Sequence, residues 1–418
     1  MANTVLTADI IAKESVLILE NEMTMANKVY RGYEDDFTKK VNGYKVGASI
    51  DVRKPADFTV RDGAVMVPQD TTEGTTPMVV DTQKGVDFSF SSADLTLKIE
   101  DLSERVIRPA LIQLANQVDL DLHNLYSDVA NVAGTPGQLI DSFADFAKGP
   151  QLLDEYGVPQ DMRCGTLSPA DHWALVGSQT DLYNDTINKP AYRKGTTGMV
   201  GNVDLYMCQN TATHTAGTRV APGAVLIDQA LTTATTTYAA VKDTNVQTIH
   251  VDAASPATAT FKKGDTFTIA DVYAVNSVTK QPLDFLKTFV VTADATMAAA
   301  EGDLIISPAL IWTGAHQTVH VSTGVTDLNN KAVTIVQTAS TNTRQNMVFH
   351  RNAFALCMVP MVNPPGAVDV ARRSYKNTSV RVIPVYDGTN DNSSYRLDIL
   401  YGKKTIDPRL AVRLGGTA

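Results

Sequence analysis

The sequence predicts an α+β fold in which an all-β domain is inserted into a mixed body. Apolar residues recur at spacings of three and four through residues 100–131, which is typical of a core-facing helix. The segments around it alternate apolar and polar residues between Gly, Pro and Asp-Gly turn signals, which indicates strands. From about residue 222 to 342 the chain becomes rich in Thr, Val and Ala and loses helical stripes. A chain of 418 residues favours several subdomains over one core.

The N-terminal segment predicts an amphipathic helix over residues 7–29 that stands before any obvious domain. Thr7 is positioned as a cap, and the apolar stripe consists of Ile10, Ile11, Leu17, Ile18 and Met25. We interpret this helix as an arm whose apolar stripe has no partner within its own chain. On this interpretation, a chain lacking residues 1–30 folds and stays soluble.

The next segment predicts a long β-hairpin with polar faces over residues 37–99. Alternation in "SIDVRKPADFTV", "TPMVVDT" and "GVDFSFSSADLTLKI" is broken by turn signals. Two strands alone are marginally stable in water, so the hairpin must lean on another part of the protein. A long helix from about Glu100 to Ala130 follows, and Pro109 predicts a kink or break within it.

The remaining elements complete the mixed body. In residues 140–221 a strand runs into the helix start Ser168-Pro169-Ala170-Asp171. Turn signals at intervals of 8–12 residues predict a small sandwich or barrel for residues 222–342, and the mixed texture resumes over residues 343–395. Alternation of Leu410, Val412 and Leu414 predicts a half-buried strand close to the C-terminus.

Composition and charge exclude several classes of function. The chain carries 45 acidic and 36 basic residues, a net charge of -9, and has no basic block to follow a phosphate backbone. The N-terminus lacks the basic region of a signal peptide. The longest apolar run, from Ala353 to Val362, is far shorter than the ~20 residues of a membrane helix and contains Pro360. We therefore expect no membrane span and no direct grip on nucleic acid.

No catalytic, cofactor-binding or metal-binding residues are predicted. His316 and His320 are four apart, but their segment alternates like a strand and offers no third ligand. Acidic residues in "DLDLHNLYSD" fit a solvated helix face, and the glycines of Gly195–Gly201 lack the lysine of a phosphate loop. Cys164, Cys208 and Cys357 fit buried, reduced thiols. We expect that the protein is not an enzyme and needs no cofactor.

Several stretches carry a resemblance to a known family. They are "KKGDTFTIADVYAVNSVTKQPLDFLKTFVVTADAT", "GDLIISPALI", "NMVFHRNAFALCMVPM" and "YRLDILYGKKTIDPRLAVRLGG". In this order and spacing, the chain resembles the major capsid (coat) proteins of tailed bacteriophages with the Hong Kong 97 fold. The likeness is greatest to the phage P22-type coat proteins and covers nearly the whole chain.

The resemblance implies a Hong Kong 97-like capsid fold in five parts. The last strands, from about Tyr395, would lie beside the long spine helix and close its domain. The implied parts are an N-terminal arm (1–36), an extended loop (37–99), a peripheral domain with the spine helix (100–139 plus 396–418), an axial domain (140–221 plus 343–395) and an inserted β-barrel domain (222–342).

The function implied by the resemblance is a shell subunit in the virion capsid. Hexamers and pentamers of the chain would enclose double-stranded DNA without sequence-specific binding, after assembly in the host bacterial cytoplasm with a scaffolding protein and a portal. A long hairpin and an arm suit subunits that overlap their neighbours. Charged hairpin residues are candidate inter-subunit contacts, although solubility explains them equally well. These candidates are Arg53, Lys54, Arg61, Asp62, Glu73 and Lys84.

Two alternatives belong to other classes. The Thr-rich β domain could make the chain a phage or surface adhesion protein that binds a receptor or carbohydrate. Trp173 and Trp312 are the only tryptophans of the chain, and only Trp312 lies in that domain. A binding domain of this kind usually shows clustered surface aromatic residues. A hydrolase with a β accessory domain is the second alternative, and it lacks a catalytic constellation. The covalent cross-link of some capsids is not predicted, because no partner Asn is marked for Lys54 or Lys84.

Overall fold

The computed structural model confirms the α+β class, with few helices and many strands. In the part of the chain that it describes, no helix combines the length and apolarity needed to cross a membrane. The described residues are 8–33, 37, 40–41, 44–45, 48–66, 68–69, 71–91, 103–180, 198–219, 225–364, 370–375 and 377–417.

The α-helices are α1 (Ala8–Glu22), α2 (Arg108–His123), α3 (Phe143–Glu155), α4 (Pro169–Thr180) and α5 (Tyr238–Val241). A π-helical turn, Ser103–Ile107, leads directly into α2, and a 3-10 turn, Asn124–Asp128, continues it. The predicted spine helix is therefore one helical run whose hydrogen-bonding pattern changes. The change from π-helical to α-helical hydrogen bonding falls beside Pro109, the second residue of α2, which has no N–H to donate to the preceding turn. Further 3-10 turns are Arg351–Ala353 and Pro408–Leu410.

The strands follow in chain order. The first ten are β1 (Lys40–Val41), β2 (Tyr44–Lys45), β3 (Ser49–Arg53), β4 (Thr75–Val79), β5 (Thr82–Ser91), β6 (Val132–Ala133), β7 (Arg163–Leu167), β8 (Met199–Val200), β9 (Val203–Met207) and β10 (Thr213–Thr215). The next nine are β11 (Val225–Ile227), β12 (Gln247–Asp252), β13 (Thr260–Phe261), β14 (Thr266–Val275), β15 (Pro282–Val291), β16 (Ala295–Thr296), β17 (Gly302–Ser307), β18 (Val319–Val321) and β19 (Ala332–Ile335). The last seven are β20 (Asn342–Arg344), β21 (Asn346–His350), β22 (Phe354–Met358), β23 (Ala371–Tyr375), β24 (Thr378–Asp387), β25 (Asn392–Thr405) and β26 (Ala411–Leu414).

The chain forms two compact units, each assembled from separate stretches of sequence. The five-part organisation stays a prediction beside this division. Unit 1 comprises Met1–Asp51, Pro77–His123 and Phe354–Lys404, and unit 2 comprises Val52–Thr76, Asn124–Ala353 and Thr405–Ala418.

Unit 1 is built on a five-stranded sheet in the order β22-β25-β24-β23, with β5 paired to β25. Helix α1 packs against β23, β24 and α2. The predicted arm without an intrachain partner is wrong for this helix, because Ile11, Val16 and Leu19 are at most 1% exposed. Apolar side chains alone could not reveal whether their partner lay within the same chain.

Asp119 of α2 holds the turn that follows α1. Its carboxylate accepts hydrogen bonds from the backbone N–H of Thr24 (2.7 Å) and of Ala26 (3.0 Å). The expectation of a solvated acidic face on α2 is therefore wrong for Asp119, which is 1% exposed. Burial raises the pKa of Asp119 to about 6, against the opposing effect of these backbone donors. Two backbone N–H groups, the buried one of Ala26 and the part-buried one of Thr24, therefore depend on this one side chain.

The predicted single hairpin over residues 37–99 is divided in the structure. Strands β3 and β4 pair with each other, whereas β5 forms an antiparallel ladder with β25, from Thr82 opposite Tyr401 to Ser91 opposite Asn392. This ladder supplies the support that an isolated hairpin lacks. Gly85 is required within it, because a Cβ atom there would lie 2.7 Å from Oδ1 of Asp398.

Unit 2 contains a six-stranded sheet in the order β6-β26-β21-β7-β9-β8. Phe146 and Leu153 of α3 and Leu175 of α4 share its core with Val348 and Leu414. The predicted helix start at Ser168 is confirmed, since the Ser168 hydroxyl accepts a hydrogen bond from the backbone N–H of Asp171.

The C-terminal strand differs from its prediction in two respects. β26 is buried on both faces, and it lies between β6 and β21 in unit 2. Arg413, the polar residue in the alternating pattern, is 2% exposed and donates to the carbonyl oxygen of Gly264 at 2.8 Å. A buried arginine with a hydrogen-bonding partner is indistinguishable from a solvated one by periodicity, so half-burial was the wrong inference.

Six further strands of unit 2 form a barrel. The order β15-β17-β12-β11-β19-β14 closes because β14 also pairs with β15, and β18 adds to β14. Phe267 and Phe289 stack inside it, with ring centroids 5.7 Å apart, beside Ile269, Ile306 and Val333. Closure of the barrel pairs the backbone N–H and C=O groups that an open sheet would leave unpaired along its edge strands.

Candidate functional site

Unit 2 contains a buried network of ionisable side chains around Asp265. Its carboxylate contacts Nε2 of His214 at 2.8 Å and Nη1 of Arg219 at 2.6 Å. Burial acts to raise the pKa of Asp265, but the His214 hydrogen bond and the Arg219 charge hold it below its ordinary value. Nδ1 of His214 contacts the Tyr126 hydroxyl at 3.1 Å, so both ring nitrogens are engaged. A cavity of about 390 Å³ lies beside His214. The arrangement stabilises the fold and presents no activated nucleophile.

The histidines and cysteines do not converge on one site. His320 lies on β18, whereas His316 precedes that strand and stacks on Tyr238, with ring centroids 3.5 Å apart. Among the residues described, no cluster of three or more His, Cys, Asp or Glu side chains is placed to hold a metal ion. All three cysteines are buried thiols outside any disulfide, as the sequence predicts.

Lys287 of β15 is a buried amine at the end of α3. Its Nζ donates to the Tyr156 hydroxyl at 3.1 Å and lies 4.3 Å from the centroid of the same ring. Burial and, second to it, the charge of Arg409 lower the pKa of Lys287 to about 7, against the opposing effect of the Asp407 carboxylate. The amine is therefore partly neutral near pH 7.

This lowered pKa predicts a specific pH dependence of stability. Between about pH 7 and 10 the unfolded chain binds more protons at Lys287 than the folded chain does, so the free energy of unfolding rises with pH. We expect Lys287→Met to raise stability at pH 7 by about 2 kcal/mol and to remove that part of the pH dependence. Urea unfolding of both proteins at pH 7, 8.5 and 10 measures the difference.

Lys262→Met is the matched control, because Lys262 is an exposed lysine of the same unit that pairs with Asp294 at 3.0 Å. Its difference from wild type should stay constant across the pH series. A pH-independent effect of Lys287→Met would contradict the prediction.

The hairpin formed by β3 and β4 is the candidate functional site. The backbone N–H of Lys54 donates to the carbonyl of Gly74 at 2.8 Å and ends the regular pairing. Beyond it, the side chain of Gln69 bonds the backbone of Thr59 in both directions, at 2.9 and 2.6 Å. The described residues within 55–73 thus form a tip in which Gln69 and Thr59 connect the two sides, and none of these described residues is in a strand.

The tip presents apolar side chains to solvent. Phe58 is 58% exposed, Val60 97%, Val65 78% and Met66 76%. We call these four residues the tip patch. The predicted polar faces are wrong here, and the apolar letters in "DFTVRDGAVMV" were the available signal. Exposed apolar patches of this kind mark interaction surfaces.

The structure brings together only part of the predicted contact set. Arg53 and Glu73 form an ion pair of 3.8 Å, but their side chains are 81% and 49% exposed, so the pair contributes only ~0–1 kcal/mol. Nζ of Lys54 donates to backbone carbonyls of its own chain, at Lys242 (3.0 Å) and Asp243 (3.2 Å).

The other candidates are on the tip and on β5. Arg61 donates to the carbonyl of Gly63, Asp62 is exposed at the tip, and Lys84 is half-buried on β5. These residues were predicted from their charge alone. The exposed side chains whose burial against a neighbouring subunit would contribute most free energy are the apolar ones of the tip patch.

Comparison with models of protein families gives a match over nearly the whole chain. The family model "P22 coat protein - gene protein 5" matches residues 2–416. A search of the curated proteins found no significant match.

Solved structures with a similar fold include a protein of Mycobacterium phage Che8, which is 14% identical over 94% of this chain and 90% of its own, with a TM-score of 0.48. The capsid of Ralstonia phage GP4 is 9% identical, with coverages of 90% and 85% and a TM-score of 0.42. The capsid of Cyanophage P-SCSP1u is 10% identical, with coverages of 89% and 84% and a TM-score of 0.42.

Proposed function

The chain belongs to the P22 coat protein family, and from this premise we propose that it is the major capsid protein of a tailed bacteriophage. It self-assembles into the icosahedral shell of the virion and adopts the Hong Kong 97-like fold of that class. The observation that carries the proposal is the family match over residues 2–416. The role is structural and not enzymatic, and the family match gives no support to the adhesion alternative.

The finer features of this function are also proposals. The subunit forms hexamers and pentamers, assembles in the host bacterial cytoplasm with a scaffolding protein and a portal, and encloses double-stranded DNA. The net charge of -9 supports a wall that does not grip the DNA backbone. The five-part organisation, with the barrel as the inserted domain, belongs to the same proposal.

The tip patch is the surface that we assign to contact between subunits. A closed shell requires each subunit to present a surface that fits a different surface on its neighbour. Four apolar side chains at the end of a hairpin meet that need, because their burial would contribute ~25 cal/mol for each Å² removed from water. The charged candidates Arg53, Lys54, Arg61, Asp62 and Glu73 then form the polar rim of this contact or its supports. Lys84, on β5, stays a separate candidate for an inter-subunit contact.

Electron microscopy with light scattering tests the proposal directly. The full chain is expressed alone and with its proposed scaffolding protein. We expect closed particles of uniform diameter, tens of nanometres across by the scale of shells built from hundreds of such subunits. Monomers or small oligomers under both conditions would contradict the shell function.

A further inference from the structure

The two strands of the hairpin both contact the segment that follows α5, in the domain that the barrel strands form. From β3, Nζ of Lys54 donates to the carbonyls of Lys242 and Asp243. From the β4 side, the carbonyl of Glu73 accepts a hydrogen bond from Nζ of Lys242 at 3.2 Å. Each lysine thus reaches across to the other segment's backbone. The contact is reciprocal and engages both sides of the hairpin.

Asp243 adds a carboxylate to the same contact. Its Oδ1 accepts hydrogen bonds from the backbone N–H of Thr75 at 2.8 Å and from the Thr75 hydroxyl at 3.2 Å. The backbone donor is the main reason that the pKa of Asp243 lies below its ordinary value. The β4 strand is therefore held by its backbone as well as by side chains.

Gly74 allows the close approach of the two segments. A Cβ atom at this position would lie 2.4 Å from the carbonyl oxygen of Lys242 and 3.2 Å from the hydroxyl of Tyr238. Because the backbone at Gly74 does not adopt a positive φ, alanine is excluded by this contact and not by its own conformation.

A second contact holds the base of the tip. The carboxylate of Asp57 lies 3.3 Å from Nζ of Lys280, 3.6 Å from Nδ1 of His316 and 3.7 Å from Nη1 of Arg409. The side chains of Lys280 and His316 are only 14% and 15% exposed, so their charges and dipoles are less screened than surface groups. Tyr238 stacks on His316 and so connects the two contacts.

We propose that the barrel domain holds the hairpin stem of its own subunit in a fixed direction before any neighbour binds. We call the contacts of Lys54, Asp57, Glu73, Gly74 and Thr75 with that domain the hairpin clamp. The tip patch lies between the two contacts in sequence and contributes no part of them. The clamp therefore restrains the stem and leaves Phe58, Val60, Val65 and Met66 exposed.

The consequence for assembly rests on the proposed function. A free hairpin loses conformational entropy when it docks on a neighbour, and that loss weakens the contact. A hairpin already held in one direction loses less. We infer that the inserted domain promotes assembly by pre-organising the hairpin of its own chain.

Distance measurements on the free subunit test the clamp without requiring a shell. Spin labels are attached to the full chain at Ala64→Cys, on the tip, and at Thr323→Cys, in the turn after β18. Both positions are exposed, and the three native cysteines are buried. We expect a single narrow distance distribution in the otherwise unaltered chain. Gly74→Ala should broaden that distribution at least about twofold, because the added Cβ separates the two segments.

Gly177→Ala is the matched control, since a Cβ at Gly177 meets nothing within 4 Å. Its distance distribution should equal that of the unaltered chain. A broad distribution before any substitution, or a Gly74→Ala distribution as narrow as the control, would overturn the clamp.

A second variant tests the clamp independently, in case Gly74→Ala does not fold. Asp243→Ala removes the acceptor for the Thr75 amide, and we expect hydrogen exchange at that amide to become about tenfold faster. Asp303→Ala, which removes an exposed aspartate paired with His250, should leave Thr75 unchanged. Unchanged Thr75 exchange in Asp243→Ala would refute the contact.

Assembly of the same variants then measures the consequence. We expect Gly74→Ala and Asp243→Ala to form shells only at a subunit concentration about tenfold higher than their controls. Broadened distances with unchanged assembly would remove the pre-organising role. Absence of shells from the unaltered chain contradicts the proposed function and leaves the distance result standing.

Discussion

Deletion of residues 1–30 is expected to destabilise the subunit by more than about 5 kcal/mol and to leave unit 1 unfolded at neutral pH. The deleted segment buries five large apolar side chains at 1% exposure or less, and full burial of each contributes ~1.5–3 kcal/mol. These are Ile11, Val16, Leu19, Met25 and Val29. Urea unfolding followed by limited proteolysis measures the loss, with cleavage expected within residues 77–123 and 354–404.

Single substitutions distinguish the stability contributed by individual buried side chains from the loss caused by removing the whole segment. Leu19 and Leu17 lie on the same helix, but Leu19 is fully buried and Leu17 is 41% exposed. Leu19→Ala should cost ~2–5 kcal/mol, whereas Leu17→Ala should cost less than about 1 kcal/mol. Asp119→Ala should cost ~2–3 kcal/mol, because it removes the acceptor of the buried Ala26 amide and of the part-buried Thr24 amide. A deleted chain that unfolds like wild type would show that α1 does not stabilise its own subunit.

The double substitution Val60→Asp and Met66→Asp should abolish shell formation while leaving the free subunit folded. Both side chains are more than three-quarters exposed, so a charge there does not disturb a core. In an interface, each aspartate would be buried without a partner and would cost several kcal/mol. A cost of ~2 kcal/mol for each contact already raises the concentration needed for assembly roughly 30-fold. Light scattering and electron microscopy measure shells, and urea unfolding measures the subunit.

The turn between β14 and β15 supplies the control. Val278→Asp places the same charge on a valine that is 71% exposed and lies outside the tip patch. It should assemble like wild type. Equal loss of assembly in this control would mean that added negative charge, and not the tip patch, is responsible. Normal shells from the double variant would remove the tip patch from the interface.

Local patterns were sufficient for the elements that repeat a regular period. The spine helix followed from the stripe that includes Leu111, Leu114 and Val118, all of which are buried on α2. The segments that became barrel strands followed from alternation between turn signals, as at Thr266–Val275 and Pro282–Val291. Such periods report which side of an element is apolar, and one element carries that information by itself.

The candidate site was predicted less completely. The hairpin and its charged residues were found, but Asp57, Gly74 and Thr75 were not singled out. Their partners lie 168 or more residues away in the sequence, as between Thr75 and Asp243. The sequence does not indicate the tip patch either, because Phe58 and Val60 fit the alternation of an ordinary strand.

The sequence by itself determined the α+β class, the strand-rich character of residues 222–342 and membership of the P22 coat protein family. Only the tertiary structure decided that α1 packs on its own chain, that β5 pairs with β25, and that Asp119 and Arg413 are buried polar anchors. The physical reason is that periodicity specifies the local backbone and its apolar face. The partner of that face, and the pairing of a buried charge, depend on contacts between residues far apart in the chain.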